Sequence, residues 1–211
     1  MKIDETSRPV SAIHDANLMQ QPIDGRRLRS LSSRAKIVKA LLDLVESGNI
    51  APSAAEVAEA AGVGLRSVFR HFDDMDSLYR EMNDGIEAKV LPMMLKPLVA
   101  TDWKGRIREL TERRVAVFEA ILPFRISASL KRHQSQFLME SYKRMLRIER
   151  QGVEALLPEL VLADPALANA VLAPLSFQTW RLLRHDQELP VAMARMVVLR
   201  LVEAILAQCP D

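Results

Sequence analysis

Cysteine is almost missing from this chain. Cys209 is the one thiol among 211 residues, so an intrachain disulfide scaffold is excluded and a cysteine-built zinc site lacks its ligands. A reducing compartment suits such a composition. Glycine is scarce after residue 100, where only Gly105 and Gly152 occur, which leaves few places for the tight turns of a β-hairpin architecture. Aromatic residues make up 5% of the chain, and Lys plus Arg exceed Asp plus Glu by 29 to 27, so no bulk charge announces a partner. No stretch reaches the roughly 18 apolar residues of a membrane span. Residues 1–5 carry Asp4 and Glu5 where a secretory signal needs apolar residues, and a cytoplasmic location without membrane association is expected. The chain is 49% hydrophobic and 27% charged, a globular balance that excludes disordered and collagen-like classes.

What is present is helical periodicity. Residues 1–30 mix Pro9, Pro22, Gly25 and scattered charges without an apolar period, and are expected to form a flexible extension. A first helix is predicted from residue 32, where Ile37, Leu41, Leu44 and Val45 recur at helical spacing, to a stop at Gly48. Ser53 and Glu56 stand at capping-box spacing and open a short second helix that ends near Gly62. A third short helix is predicted over 65–71. A fourth opens beside Asp74 and Asp76, favourable near the positive end of a helix dipole, and is expected to end at Pro92 and Pro97. Further helices are predicted over 103–122, briefly after Pro123, over 134–157, over 164–185 with a bend at Pro174, and over 189–207. No alternating strand pattern occurs, so the predicted fold is all-α.

The stretch 53–72, SAAEVAEAAGVGLRSVFRHF, carries the functional signal. Two helices that cross steeply through a short turn need a small residue at the approach, a glycine where the chain turns left-handed and apolar residues to lock the pair. Ala58, Gly62 and Val68 supply these in order, so the spacing fits a helix-turn-helix. Leu65, Val68, Phe69 and Phe72 are expected along the packed side of the third helix, with Arg66 and Arg70 projecting elsewhere. A cationic face there is what insertion into a DNA major groove requires. The charge is also uneven along the chain, since residues 26–39 hold six basic residues (Arg26, Arg27, Arg29, Arg34, Lys36 and Lys39) and no acid. Arg26, Arg27 and Arg29 are candidates for a minor-groove arm, with a solvated tail as the other reading.

Ile37-x2-Ala40-x3-Leu44-x3-Gly48, then Val57-Ala58-x2-Ala61-Gly62-Val63-x5-Phe69-Arg70-His71-Phe72 and Asp76-Ser77-Leu78, resemble the N-terminal domain of the tetracycline-repressor (TetR) family of bacterial transcription regulators. The resemblance covers residues 31–80. It implies a three-helix DNA-binding head, with a helical domain over 81–211 that dimerises and holds an effector. It implies DNA contacts at Ser53, Gly64, Leu65, Arg66, Ser67, Phe69, Arg70 and His71; Arg34, from the basic window, joins them as a candidate. The chain departs from the family at Gly64, where serine or threonine is usual, at Phe69, where the family has tyrosine, and at Met75, where it has lysine. Each departure removes a contact to the phosphate backbone, which positions a protein on DNA rather than reading its sequence.

Outside the head, Trp103, Phe118, Phe137, Tyr142, Phe177 and Trp180 are candidate walls of an apolar effector pocket, together with Phe124, Met93, Met94, Met139 and Met145. For each of them a place in the core is the weightier reading. Arg125, Lys131 and His133 are candidates to orient an anionic ligand, though a surface role weighs more. The last two predicted helices are apolar enough to build a homodimer interface around a two-fold axis. His14, His71, His133 and His185 lie far apart and no phosphate-binding glycine loop occurs, so neither an enzyme nor a cofactor is expected. The expected function is a dimeric regulator, most often a repressor, released from a palindromic double-stranded DNA operator by a small-molecule effector. The alternative is a helical ligand-binding or interaction protein whose DNA-binding head is degenerate.

Overall fold

A computed structural model describes residues 25–210. Residues 1–24 of the extension predicted over 1–30 lie outside the described residues, and so do the side chains of Arg26, Arg27 and Arg29. The described chain is all-α, with no strand among the described residues: α1 (Gly25–Glu46), α2 (Ala54–Ala60), α3 (Leu65–His71), α4 (Met75–Met94), α5 (Trp103–Lys131), α6 (Gln136–Glu154), α7 (Glu159–Leu162), α8 (Pro165–Leu172), α9 (Phe177–Arg181), which runs into a π-helical turn at Leu182–Asp186, and α10 (Val191–Leu206). Among the described residues no helix is long and apolar enough to cross a membrane.

Local chemistry sets many of the boundaries. Ser53 and Glu56 form the expected capping box, and Asp74 with Ser77 forms a second one that opens α4. Asp102, Ser135, Asp164 and Ser176 cap α5, α6, α8 and α9 through their side-chain oxygens, each satisfying amide donors that a helix start leaves unpaired. Gly48 and Gly62 take φ of 102° and 64°, a left-handed conformation that L side chains rarely adopt.

Several boundaries differ from the sequence reading, and the single bent helix predicted over 164–185 is instead α8 and α9, separated by a turn at residues 173–176. The backbone of residues 25–30, predicted as part of an unfolded extension, is the start of α1. Pro92 and Pro123 were expected to end helices, yet both lie inside them. A proline inside a helix costs about 3 kcal/mol. In α5 that cost is outweighed by burial on both sides, since Phe118, Ile121 and Leu122 precede Pro123 in the core and Phe124, Ile126 and Ser127 follow it. In α4 Pro92 falls in the last turn, beyond the buried Val90.

Apolar packing forms two clusters. One joins Ile37, Leu41 and Val45 of α1, Val57 and Ala58 of α2, Val68 of α3, Phe72, and Leu78, Tyr79 and Met82 of α4, and reaches Phe124 of α5 and Leu138 of α6. The other centres on α5, with Val90 of α4, Trp180 of α9, and Val198 and Val202 of α10. Phe118 and Phe177 meet edge to face there, 5.6 Å between ring centroids. The helix α4 thus enters both clusters. It is tied to α1 by Lys89 with Glu46 at 3.0 Å, to α6 by Arg144 with Glu87 at 2.7 Å, and to α5 by a buried hydrogen bond between the Tyr79 and Ser127 hydroxyls at 3.2 Å.

Candidate nucleic-acid interface and ligand cavity

The helix pair α2–α3 turns through Gly62 and Gly64. Val63 N–H donates back to Ala58 O at 3.0 Å, and Gly62 N–H to Glu59 O at 3.0 Å, so the turn is fixed by main-chain bonds. Gly64 occupies the N-cap of α3 without a side-chain cap. Ser53 stays exposed, but its hydroxyl is held by Glu56 at 2.7 Å. The Glu56 carboxyl lies below the usual range, first because it accepts the Ser53 backbone N–H and then through the Ser53 hydroxyl.

On α3 the packed side is narrower than the sequence predicts. Val68 and Phe72 are buried, whereas Leu65 and Phe69 are 46% and 51% exposed. Successive residues turn by 100° in a helix of 3.6 residues per turn, and only one side of this seven-residue helix faces α1 and α2. Leu65 and Phe69 fall at the edge of that contact. The outward face is therefore two apolar side chains interleaved with two exposed cations, Arg66 and Arg70. Ser67 is half-buried beside it.

Two other candidate DNA contacts, Arg34 and His71, are engaged inside the head. Arg34 donates through Nε to Glu81 at 2.8 Å and through Nη1 to the His71 carbonyl, and its guanidinium lies 4.3 Å from the centre of the Phe72 ring. His71 has its Nε2 buried without a hydrogen-bond partner. Burial first, then the charges of Arg70 and Arg34, hold its pKa below the ordinary value, so the ring is neutral at pH 7 and brings no charge to a phosphate.

Between α4, α5, α6 and α9 lies a cavity of about 530 Å³, within the usual range of ligand sites. Its apolar wall includes Met82, Ile86 and Val90 of α4, Phe118 and Ile121 of α5 and Met145 of α6. Of the aromatic candidates, Phe118, Tyr142 and Phe177 line it, and so does Phe124. Trp103, Phe137 and Trp180 do not. Trp180 is buried and donates its indole N–H to Glu119 at 3.1 Å, Phe137 lies beneath the Arg80 guanidinium, and Trp103 packs against the second core. Met94 and Met145 face the cavity, but Met93 and Met139 do not. Arg125 lines it, whereas Lys131 and His133 stand elsewhere.

The polar end of the cavity is built on Arg125, whose side chain is only 11% exposed. Its Nη1 meets Glu149 at 2.5 Å and its guanidinium lies 3.8 Å from the centre of the Phe177 ring. Glu149 accepts the Phe177 backbone N–H with its other oxygen at 3.3 Å. Burial pushes the Arg125 pKa down, and the Glu149 charge opposes it. Arg132 also lines the cavity, stacked 4.3 Å from the centre of the Tyr142 ring, whose hydroxyl accepts from Gln178.

The architecture is similar to that of a solved transcriptional regulator from Rhodococcus sp. Rha1. The likeness has a TM-score of 0.60 at 20% sequence identity, and covers 83% of this chain and 97% of the other. At this identity it shows a shared fold. No family model matches the sequence, and no curated protein matches it.

Sequence reasoning missed Arg132 and, apart from Met94, the contribution of α4. A signal for the latter exists in the spacing of Tyr79, Met82, Asn83, Ile86 and Val90, which repeats every three or four residues along one side of the helix. Arg132 carries no comparable signal.

Proposed function

We propose that this chain is a TetR-type transcription regulator, cytoplasmic and homodimeric, that binds a palindromic double-stranded DNA operator through α3 and releases it when a small molecule enters the cavity. The observation that carries this reading is the double membership of α4. Its first turns pack the head through Leu78, Tyr79 and Met82, and the helix lines the cavity from Tyr79 to Met94. A ligand that displaces α4 shifts the helix that packs α1 and closes the head core around Val68 and Phe72, through which α3 is held.

On this reading Arg66 reads a base edge and Arg70 meets phosphate, while Leu65 and Phe69 pack against the groove. The domain limits are 31–80 for the head and 81–211 for the effector and dimerisation part. The dimer forms through the last helices, where α10 exposes Met193, Met196 and Leu201, and the two-fold axis sets two copies of α3 on successive major-groove turns. The effector binds one arrangement of the heads better than the other, which makes release a coupling between two sites. The fold shared with the Rhodococcus transcriptional regulator supports the assignment.

A second reading is a ligand-binding or interaction protein with a degenerate head. The engagement of Arg34 and His71 within the head, together with the missing hydroxyl at Phe69, favours it. Selection of bound sequences from random DNA separates the two. Enrichment of a palindrome supports the regulator, and failure to enrich any palindrome at low salt, where phosphate contacts are strongest, overturns it.

A further inference from the structure

The cavity is apolar over most of its wall, yet one end holds more positive charge than its neighbours balance. Arg125 Nη2 and Arg132 Nε are both buried without a hydrogen-bond partner, and both residues line the cavity. Glu149 serves Arg125 Nη1 and the Phe177 backbone with its two oxygens, so it leaves Nη2 unmet. Arg132 makes no ion pair among the described residues, and its guanidinium lies over the face of Tyr142. The two guanidiniums also lie close enough for Arg132 to act on Arg125 as a like charge. The remaining arginines of the lining are balanced, Arg144 by Glu87 and Arg181 by Asp186.

Buried donors without acceptors are costly, and a buried guanidinium calls for a planar anion that meets its fork. A neutral ligand fills the apolar part and leaves both N–H groups unmet. A carboxylate offers one oxygen to each arginine, once each side chain turns its occluded N–H toward the cavity, and relieves their mutual repulsion. At about 30 Å³ for each water-sized group, the cavity holds on the order of 15 heavy atoms, close to the size of dodecanoate.

From this we infer that the ligand of this cavity is an amphipathic monocarboxylic acid, its carboxylate between Arg125 and Arg132 and its hydrocarbon body against Met82, Ile86, Val90, Phe118, Ile121 and Met145. The inference rests on the effector cavity proposed above and names the class of molecule it takes. A free acid is the source favoured over an acyl thioester, because the two unmet donors are buried rather than at an exposed rim.

Calorimetric titration of the full chain with dodecanoate, methyl dodecanoate and dodecanoyl-coenzyme A tests it. The acid binds roughly tenfold or more tightly than the ester, as charge-assisted hydrogen bonds imply, and R132Q loses most of that preference while its circular-dichroism melt stays close to that of the unmodified chain. R125Q abolishes the preference too but strands Glu149, so R132Q decides if R125Q does not fold. Equal binding of acid and ester, or full preference retained in R132Q, overturns the inference. Tighter binding of the thioester than of the acid overturns the free carboxylate. If the ester binds as well as the acid and also releases selected DNA, the effector cavity stands and only the anionic ligand falls. If none of the three binds, the inference is overturned, and palindrome enrichment then decides separately whether the DNA-binding reading survives.

Discussion

Arg34 of α1 and Glu81 of α4 meet across the end of α3, with Arg34 Nε donating to Glu81 Oε1 at 2.8 Å while Nη1 of the same guanidinium caps the His71 carbonyl. One side chain thus holds three helices of the head, and a cation near a helix C-terminus also favours the helix dipole. The pair is about one-third exposed, so solvent weakens it.

The first prediction follows from that latch. A partly exposed ion pair contributes about 0.2–1 kcal/mol and a cation–π contact about 0.5–1 kcal/mol, so Arg34→Ala lowers stability by roughly 1–2 kcal/mol and Glu81→Gln by less. Chemical denaturation measures both. Neither change alters base preference. If Arg34→Ala weakens operator binding strongly while Glu81→Gln does not, Arg34 is a phosphate contact and the latch is secondary.

Arg66 stands exposed on α3 with no ion-pair partner among the described residues. On the proposed function, Arg66→Ala costs about 1–3 kcal/mol of operator binding and relaxes the preference at one base position. Binding to a panel of single-base operator variants checks this. A uniform loss across the panel reassigns Arg66 to the DNA backbone.

His71 gives the head a pH dependence. Its folded pKa is depressed by burial and by Arg70 and Arg34, so near and below pH 6.5, the ordinary histidine value, the unfolded chain binds more protons than the folded one. Stability is complete above that pH and declines as the pH falls through 6.5 toward the depressed folded value. Thermal melts at pH 7.5 and pH 5.5 therefore differ, and His71→Gln reduces the difference. An unchanged slope in the variant assigns the pH dependence to other groups.

These residues also mark how far the sequence could be read. Ser53 with Glu56 announced a helix start correctly because a capping box is local chemistry, and Gly62 announced the turn because its left-handed backbone is local too. Pro92 and Pro123 misled, since a proline's cost is local while the burial that outweighs it in α5 comes from helices far along the chain. The cavity was legible only in part. Composition picks out large apolar side chains, but whether Trp180 faces a cavity or a core depends on which helix covers it, and Glu119 lies 61 residues away. Arg125 is a candidate anion partner in the sequence and Arg132 is not, because a charged residue just past the end of a long helix carries no mark of burial until its neighbours are placed.

The dimer prediction depends on α10. Its inner side, Ala194, Val198, Val202 and Leu206, is buried in the second core, while Met193, Met196 and Leu201 are exposed on other sides. Exposed apolar groups in one helix mark an association surface when they are contiguous across two copies. On the proposed function the chain sediments as a dimer at micromolar concentration, and Met196→Glu with Leu201→Glu converts it to monomer by placing like charges on both sides of the two-fold axis. Because both residues lie away from the buried side, the double variant keeps the melting behaviour of an isolated folded subunit. Operator binding then falls steeply, since each α3 must bind its half-site without the partner. A chain that sediments as a monomer before substitution, or a double variant that remains dimeric, places the interface elsewhere or removes it.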